Sequence, residues 1–360
     1  MTLPAIADTP AALTAEWVTS ALRASGTLTD GTVTGVELSP VGTGQMCDSL
    51  RVTLRFDRDV EMPPTMIAKL PAADETSRAT ALALRNYENE VRFYQQLAPH
   101  LPVHTPAAYY ADIDVATASF VLLLEDMAPA EQGDQLRGCS AETAKVAVDE
   151  LVRLHAPRWA DPSLASLDWL HRDRDVQRAF LLSLLPAAWN GFRDRYAGDL
   201  DADVLVAGGA LFSRLDGYLD ADDAPRTVVH GDYRLDNLLF DPGAGGVPVT
   251  VVDWQTCTHG PAMQDVAYFI GAAMPADGRR DAEAVLVDGY YAGLVAADVS
   301  GYGWDQCWRD YRRGTWAGLI MAVAASMLVE RTARGDEMFL TMAARHSRHA
   351  LDLDAAELLG

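Results

Sequence analysis

The sequence predicts an α+β fold in two parts, a strand-rich first third followed by a mainly helical remainder. Three observations support this prediction. Short apolar runs bounded by turn residues recur through the first 125 residues and are interrupted by one helical stretch. From Ser140 onward, apolar residues have the spacing that is typical of amphipathic helices. No internal repeat or long low-complexity linker divides the chain further, so we expect the boundary near residues 125–129.

Five apolar runs in the first part are predicted as strands, and one stretch is predicted as a helix. Residues 77–97 are rich in Ala, Leu, Arg and Glu and contain neither Gly nor Pro, which predicts a helix of about 20 residues. A Gly-Thr-Gly turn at residues 42–44 separates the first two strands. The strands are expected over residues 33–40, 50–56, 65–70, 107–113 and 120–124.

The remainder of the chain is predicted to be chiefly helical. Its first helix covers residues 140–155, with Ser140 as the expected N-cap and a proline just beyond its end. Three short β-like segments interrupt the helices, residues 227–229, 238–240 and 249–252. Further helices are expected over residues 175–196, 202–219, 281–297, 304–331 and 337–359.

The charge of the chain argues against a nucleic-acid partner. Its 360 residues include 29 Lys and Arg against 51 Asp and Glu, a formal net charge of −22. A protein that binds duplex nucleic acid neutralises phosphates with Lys and Arg, and this chain has an excess of acid. The charge has two interpretations, an acidic solvated surface or an acidic cleft that attracts a cationic substrate. With 49% hydrophobic and 22% charged residues, the composition excludes a disordered or fibrous chain.

Neither a disulfide framework, a membrane span nor a secretory signal is expected. Cys47, Cys139, Cys257 and Cys307 form no Cys-x-x-Cys pair, and scattered single thiols are typical of a reducing cytosol. The N-terminus lacks the basic and apolar regions of a signal peptide. The most apolar stretch, residues 314–329, is shorter than the roughly 20 residues of a membrane span and is predicted to be a buried helix. We therefore expect a cytoplasmic protein without a membrane partner.

The segment with the clearest chemical content lies among the short β-like segments. Residues 228–240 read VVHGDYRLDNLLF, so that Asp232 and Asn237 lie five positions apart in a polar loop between two apolar runs. A third apolar run ends in Asp253. Phosphoryl transfer uses such a set: one carboxylate orients and deprotonates the attacking hydroxyl, while an amide oxygen and a second carboxylate hold Mg²⁺ against the phosphates. The spacing is that of the His-x-Asp-x-x-x-x-Asn catalytic loop of kinases.

These residues resemble the aminoglycoside phosphotransferase-like small-molecule kinases, and HGDYRLDNLLF with VVDWQ looks most like their ecdysteroid-kinase-like branch. The resemblance implies a bilobal protein-kinase-like fold, in which a small antiparallel-sheet N-lobe with one long helix precedes a larger, mainly helical C-lobe. Residues 1–125 would form the nucleotide-binding N-lobe, and residues 126–360 the C-lobe with the catalytic loop and the acceptor-binding helices. ATP would lie in the cleft between the lobes, with Asp232 as the catalytic residue and Asn237 and Asp253 as Mg²⁺ ligands.

The resemblance also assigns residues that would bind the phosphates. Lys69 matches the strand lysine that contacts the phosphates of ATP, and Glu90 on the following helix would hold it, with Glu88 as the competing partner. The turn that carries Gly44 and Ser49 occupies the place of the loop over the phosphates, although it lacks the Gly-x-Gly-x-x-Gly pattern of protein kinases.

Further residues are given adenine-binding or supporting interpretations. Residues 120–127 resemble the last N-lobe strand and the hinge, which implies adenine contacts near Glu125 and Met127. Cys47 is expected to be a small packing residue rather than a nucleophile.

Three residues are expected to support the catalytic loop without touching the substrate. His155 is expected to be a buried helix-end histidine, His230 a residue that orients the loop, and Asp265 a brace at the start of a helix. Arg234 has two open interpretations, neutralisation of the transferred phosphate or an ion pair with a carboxylate such as Asp236.

The predicted function is an ATP- and Mg²⁺-dependent O-phosphotransferase that acts on a hydroxyl of a small molecule, namely a natural product, an alcohol, a sterol-like metabolite or a sugar. One alternative is an aminoglycoside antibiotic phosphotransferase that confers resistance. Two alternatives from other classes are a non-catalytic nucleotide-binding regulator and a metal hydrolase built on His230 and Asp232. Residues 157–226 and the stretch after residue 272 match no pattern, and in the family those helices would form the acceptor pocket.

Overall fold

The structure, a computed structural model, describes residues 3–42, 46–220, 224–241, 243 and 248–360. The chain divides into two compact units. Most of unit 1 comes from the first 129 residues, but it also includes the short segment Asp253–Gln255. Unit 2 contains Leu101–His104, Ala130–Val252 and Thr256–Gly360. The chain therefore returns to unit 1 twice, after Leu101–His104 and again for the three residues that follow the last apolar run of the sequence motif.

Unit 1 is built on an antiparallel sheet, in which the described strands follow the order β1-β2-β3-β5-β4. Alternate residues of the second strand, Leu50, Val52 and Leu54, are buried on one face, as expected for a strand with one face toward a core. Met66 and Val121 belong to the same core. The strands are β1 (Val33–Pro40), β2 (Cys47–Phe56), β3 (Thr65–Pro71), β4 (Ala108–Asp114) and β5 (Ser119–Glu125).

The helices of unit 1 differ in two respects from expectation, because a helix before the first strand was not predicted and the predicted helix is divided. Helix α1 (Ala15–Ala24) is capped by Thr14 and packs near β1, whereas the helix expected over residues 77–97 is divided into α2 (Glu75–Leu84) and α3 (Asn86–Gln96). The division falls at Arg85, which has a left-handed backbone with φ of 61°. A non-glycine residue rarely adopts this conformation, and neither Gly nor Pro marks the site in the sequence.

Unit 2 is mainly helical. Its helices are α4 (Ala141–His155), α5 (Arg174–Arg195), α6 (Ala202–Ser213), α7 (Leu215–Asp220), α8 (Ala262–Ala273), α9 (Ala276–Ala296), α10 (Trp304–Gly314), α11 (Trp316–Leu328) and α12 (Ala333–Asp352). The stretches 202–219 and 304–331, each expected as one helix, are thus two helices each. Ser140 caps α4 as predicted, since its side chain accepts a hydrogen bond from the Thr143 N–H. No helix in the described part of the chain is long and apolar enough to cross a membrane.

Short strands interrupt the helices of unit 2 and position the loop that carries the sequence motif. They are β6 (Glu131–Gln132), β7 (Arg226–Val229), β8 (Leu238–Phe240), β9 (Val249–Val251) and β10 (Thr258–Pro261). Strand β7 pairs with β10, and β8 lies between β6 and β9 in a second small sheet. The polar loop therefore connects strands of two different sheets. A strand-rich unit and a mainly helical unit confirm the predicted α+β class.

Candidate active site

Lys69 on β3 is the centre of a charged cluster in unit 1. Its Nζ lies 2.6 Å from Glu90 Oε1 and 3.0 Å from Asp253 Oδ1. Lys69 is 8% exposed and Glu90 is 1% exposed, so the cluster is largely shielded from solvent. We call Lys69, Glu90 and Asp253 the Lys69 cluster.

Two opposing effects set the pKa values of Lys69 and Glu90: burial disfavours the charged forms, and the attraction between opposite charges favours them. Burial alone would lower the pKa of Lys69, but the carboxylates of Asp253 and Glu90 outweigh it and raise that pKa well above its usual value. Burial raises the pKa of Glu90, and the Lys69 ammonium opposes this effect. Lys69 is therefore a permanently charged donor whose orientation is fixed by two acids.

Helix α3 selects the partner of Lys69. Glu90 lies on the buried face of α3, whereas Glu88 forms an ion pair with Arg85, with 2.9 Å between Glu88 Oε2 and Arg85 Nε. Residues two positions apart face different directions on a helix, so only one of the two glutamates can reach β3. The structure thus joins Lys69 to Glu90, the partner that the sequence favoured.

Asp253 belongs to a segment that is tied to unit 1 by several contacts. It has a left-handed backbone with φ of 68°, and its Oδ2 accepts a hydrogen bond from Gln255 Nε2 at 3.1 Å. The ring of the next residue, Trp254, stacks on Phe93 with 3.7 Å between ring centroids. Asn89 Nδ2 donates to the Gln255 carbonyl at 3.0 Å. These contacts hold the carboxylate of Asp253 against Lys69.

Strand β2 carries the predicted phosphate-loop residues that the structure describes. Ser49 pairs directly with Lys69 across β2 and β3, and paired residues of an antiparallel ladder project to the same face of the sheet. Cys47, two residues earlier, is buried, and burial raises the pKa of its thiol to about 12. It is therefore an uncharged packing residue, as expected. Gly44 lies outside the described residues.

The predicted hinge follows β5. The Glu125 N–H donates to the Ala107 carbonyl at 2.8 Å, so that N–H is already committed. Asp126 forms an ion pair with Arg51 at 2.7 Å, which fixes the chain just before the partly buried Met127. Adenine contacts at Glu125 and Met127 stay a prediction.

Asp232 is the centre of a second cluster, which lies in unit 2. Its Oδ1 accepts a hydrogen bond from the Tyr268 hydroxyl at 2.5 Å. Its Oδ2 accepts from Arg234 Nε at 3.0 Å and from Asn237 Nδ2 at 3.1 Å. Asn237 Nδ2 also lies 2.9 Å from the Asp232 carbonyl, which closes the loop on itself. We call Asp232, Arg234, Asn237 and Tyr268 the Asp232 cluster.

Asp265, at the start of α8, braces the backbone of this loop. Its two carboxylate oxygens accept hydrogen bonds from the His230 N–H at 2.6 Å and the Gly231 N–H at 2.9 Å. Gly231 has φ of 81°, and a Cβ at this position would lie 2.7 Å from the Thr256 carbonyl oxygen. The glycine of the motif is thus required by conformation and by space. The bracing role predicted for Asp265 is confirmed.

The two histidines near the loop have structural contacts. The His230 ring accepts the Asp232 N–H at Nδ1, over 3.3 Å, and its Nε2 faces the Val252 carbonyl at 3.0 Å. His155 is fully buried at the end of α4, with Nδ1 2.7 Å from the Tyr290 hydroxyl and Nε2 3.3 Å from Asp265. Both rings therefore support the loop, as predicted.

Arg234 forms ion pairs within its own loop. Its Nε contacts Asp232, and its Nη1 lies 2.6 Å from Asp236 Oδ2. Burial would lower the pKa of Arg234, but the two carboxylates outweigh it and raise that pKa. Of the two open interpretations, the ion pair with Asp236 is the one the structure contains.

Tyr268 is the residue of the Asp232 cluster that the sequence did not indicate. It lies on α8 three positions after Asp265, and such residues share one face of a helix. The expected bracing role of Asp265 was the signal that could have drawn attention to this helix face.

Two oxygen donors in the structure fit the chemistry of a magnesium ion. Asn237 uses its Nδ2 for hydrogen bonds, so the amide oxygen is the atom it can offer to a cation. Asp253 offers a carboxylate that is 25% exposed. In the described part of the chain, no group of three or more His, Cys, Asp or Glu side chains could hold a metal ion by itself. Mg²⁺ is usually bound through one or two carboxylates together with substrate phosphates and water, so the Asp253 carboxylate is a donor of the type that it takes.

A few known proteins share short stretches of sequence with this chain. Acyl-CoA dehydrogenase family member 10 of Mus musculus is 52% identical over 42 residues, which cover 12% of this chain and 4% of that protein. Acyl-CoA dehydrogenase family member 11 of Gallus gallus is 40% identical over 50 residues, which cover 14% of this chain and 6% of that protein. The aligned stretch is a small fraction of these relatives, so their dehydrogenase activity is not transferred.

Solved structures of kinases share the fold of the whole chain. An aminopropanol kinase associated with a microcompartment has a TM-score of 0.55 at 16% identity, covering 93% of this chain and 99% of that one. Ethanolamine kinase of Plasmodium vivax has a TM-score of 0.54 at 10% identity, covering 96% and 90%. Choline kinase of Cryptosporidium parvum has a TM-score of 0.52 at 12% identity, covering 89% of both chains. The predicted protein-kinase-like fold is confirmed.

The family assignment rests on a longer match. Residues 57–308, more than half of the chain, match the phosphotransferase enzyme family of aminoglycoside phosphotransferases. This range contains Lys69, Glu90, Asp232, Asn237 and Asp253. The ecdysteroid-kinase-like branch stays a prediction. With the motif, the fold and this match in agreement, the chain belongs to the phosphotransferase enzyme family and is a small-molecule kinase.

Proposed function

We propose that the protein transfers the γ-phosphoryl group of ATP to a hydroxyl of a small molecule. The observation that carries this proposal is the environment of the Asp232 carboxylate in the loop after β7. Most of this carboxylate is buried, and three donors orient it. A carboxylate fixed in this way, in a loop with kinase spacing, suits a residue that orients a hydroxyl and receives its proton.

The Lys69 cluster supports a role in nucleotide binding. Lys69 would contact the α- and β-phosphates of ATP, and Glu90 would hold its ammonium in place. Ser49, on the same face of the sheet as Lys69, and Gly44 would lie at the phosphates as well. Glu125 and Met127 would contact the adenine through backbone groups. Nucleotide binding by these residues is part of the proposal.

Asn237 and Asp253 would hold Mg²⁺. When bound, the ion neutralises charge on the β- and γ-phosphates. The amide oxygen and the carboxylate described above are the donor types that Mg²⁺ prefers.

In the proposed reaction the γ-phosphoryl group moves to the acceptor, and Asp232 receives the proton. The acceptor oxygen forms a bond to the γ-phosphorus while the bond from that phosphorus to the β–γ bridging oxygen breaks. The hydroxyl proton passes to the Asp232 carboxylate, and ADP leaves. Arg234 lies within the same loop and keeps the carboxylate oriented. Most of the acceleration would come from positioning and electrostatics.

The acceptor would be a natural product, an alcohol, a sterol-like metabolite or a sugar. An aminoglycoside is the alternative acceptor, which the net charge of −22 would accommodate. A hydrolase with a metal bound to His230 is disfavoured, because both ring nitrogens of His230 face backbone groups. A non-catalytic regulator is disfavoured because every predicted catalytic position carries the expected residue.

An ADP-release screen tests the proposal. The protein is incubated with ATP, Mg²⁺ and an acceptor panel of kanamycin, ethanolamine, cholesterol, glucose and glycerol. The expected result is acceptor-dependent ADP release, with a product whose mass has increased by one phosphate. Asp232→Asn is the control and should release no ADP above background. Acceptor-dependent release that is equal in the wild type and Asp232→Asn would remove Asp232 from its role.

A further inference from the structure

We propose that Tyr268 is a positioning residue that reserves one acceptor site, on Asp232 Oδ1, for the incoming hydroxyl. This inference rests on the proposed function and assigns the proton-accepting atom within it. The hydrogen-bond geometry of the Asp232 cluster carries it.

The Asp232 carboxylate can accept a limited number of hydrogen bonds. An ionised carboxylate has about four lone-pair positions, two on each oxygen. Among the described residues, Asp232 Oδ2 receives two donors, Arg234 Nε at 3.0 Å and Asn237 Nδ2 at 3.1 Å. Oδ1 receives one donor, the Tyr268 hydroxyl at 2.5 Å. The position left for a further donor is therefore on Oδ1, beside Tyr268.

The donors on Oδ2 are fixed by their own partners. Arg234 is also paired with Asp236, whose other carboxylate oxygen accepts the Gln135 N–H at 2.9 Å. Asn237 also donates to the Asp232 carbonyl. A hydroxyl that approached Oδ2 would have to displace one of these buried donors, whereas an approach to Oδ1 displaces none.

The Tyr268 ring is buried and packed, and its hydroxyl stays protonated. It is 2% exposed on α8, and its ring packs against His346 with 5.4 Å between ring centroids. Burial, and the Asp232 charge with it, raises the pKa of Tyr268 well above its usual value, so the phenol is a neutral donor. It fixes the carboxylate without competing for the proton that the acceptor hydroxyl releases.

The same helix fixes both the backbone and the side chain of the catalytic loop. Asp265, one turn before Tyr268, holds the N–H groups of His230 and Gly231. Tyr268 then holds Oδ1 of the carboxylate that follows them. Removal of the phenol oxygen should leave the loop backbone in place and leave only the donors on Oδ2 to orient the carboxylate.

The test is Tyr268→Phe, with Tyr302→Phe as the matched control. Tyr302 is also a buried tyrosine in unit 2, and its hydroxyl donates to Asp310 Oδ2 at 2.9 Å without contacting the Asp232 cluster. Kinetics are measured with the acceptor of the panel that the wild type phosphorylates fastest. For Tyr268→Phe we expect kcat to fall about 10- to 100-fold, as for a misplaced catalytic group. The KM for ATP and the Kd for ADP should stay within about twofold of wild type, and Tyr302→Phe should change none of these values beyond that margin.

A second measurement keeps the inference falsifiable if Tyr268→Phe fails to fold. In a crystal structure of the wild type with ADP, Mg²⁺ and the same acceptor, the reacting hydroxyl oxygen should lie about 2.6–3.2 Å from Asp232 Oδ1. A hydroxyl on Oδ2, or an unchanged kcat in a folded Tyr268→Phe, overturns the inference and leaves the proposed function intact. A wild type that phosphorylates no acceptor overturns both.

Discussion

The Lys69 cluster and the Asp232 cluster have opposite arrangements of charge. The first holds one cation, Lys69, between two carboxylates at 2.6 and 3.0 Å. The second holds one carboxylate, Asp232, among a guanidinium, an amide and a phenol. A cation that contacts phosphates needs only to be charged and correctly oriented. A carboxylate that accepts a proton also needs a lone-pair position that no other donor occupies. The neutral donors Asn237 and Tyr268 fix the carboxylate of Asp232 together with the charged Arg234.

The comparison predicts that the Asp232 cluster is the more sensitive of the two for chemistry. Lys69 retains one carboxylate when the other is lost, because either acid can keep it charged. Asp232 has no substitute in its own cluster, since its partners are all donors. Substitutions of Asp232, Asp265, Glu90 and two helix caps test this difference, in order of decreasing expected effect.

Asp232→Asn should have the largest effect. The amide cannot accept the hydroxyl proton, so kcat should fall about 10³-fold, within the range for loss of a general base. ADP binding should be nearly unchanged, because Asp232 is not among the proposed nucleotide ligands. Steady-state ADP release and calorimetric titration with ADP measure the two properties. A kcat near the wild-type value in this variant would contradict the role of Asp232 as the proton acceptor.

Asp265→Ala should lower the free energy of unfolding by about 3 kcal/mol, because two buried N–H groups lose a charged acceptor. Denaturant titration followed by tryptophan fluorescence measures the change. Asp265→Asn is the control. It keeps one oxygen acceptor and should lose about half as much, and equal losses in both variants would contradict the bracing role.

Glu90→Gln should raise the KM for ATP about tenfold, equivalent to roughly 1.4 kcal/mol. The expected effect is moderate because Asp253 still contacts Lys69. Glu88→Gln is the matched control on the same helix, and its KM should stay within about twofold of wild type, because Glu88 pairs with Arg85. Equal changes in the two variants would mean that Glu90 has no special relation to Lys69.

Removal of a helix cap should have the smallest effect. The cap variants show, for each unit, how much a general loss of stability changes kcat. Ser140→Ala removes the acceptor of the Thr143 N–H in unit 2, and Thr14→Ala removes the acceptor of the Trp17 N–H in unit 1. Each should lower the free energy of unfolding by about 1 kcal/mol with kcat unchanged. A loss of kcat in either variant would show that general destabilisation alone reduces activity, which would weaken the interpretation of Asp265→Ala.

Several features of the site could be predicted from the sequence because they depend on neighbouring residues. The loop from His230 to Asn237 is short, and the hydrogen bonds that shape it join residues two to five positions apart. The need for glycine at position 231 also follows from this tight loop, although the atom it avoids, the Thr256 carbonyl oxygen, lies well beyond the loop in sequence. Lys69 and Glu90 could be paired because both match residues of the family that the sequence resembles.

The helix division at Arg85 could not be predicted, because helix-forming residues continue on both sides of it. Nothing local marks the site, where the left-handed residue ends α2 and begins α3. Propensity is a weak preference that tertiary contacts override.

The sequence by itself determined the fold class, the strands of the first part and the identity of the residues in the motif, since apolar periodicity and loop spacing are local properties of the chain. Only the tertiary structure decided that Tyr268 holds Asp232, and that Asp253 lies with Lys69 in unit 1. Those contacts join residues up to 184 positions apart. No local pattern encodes which of many distant polar groups will meet, because that choice is made by the packing of whole helices and sheets.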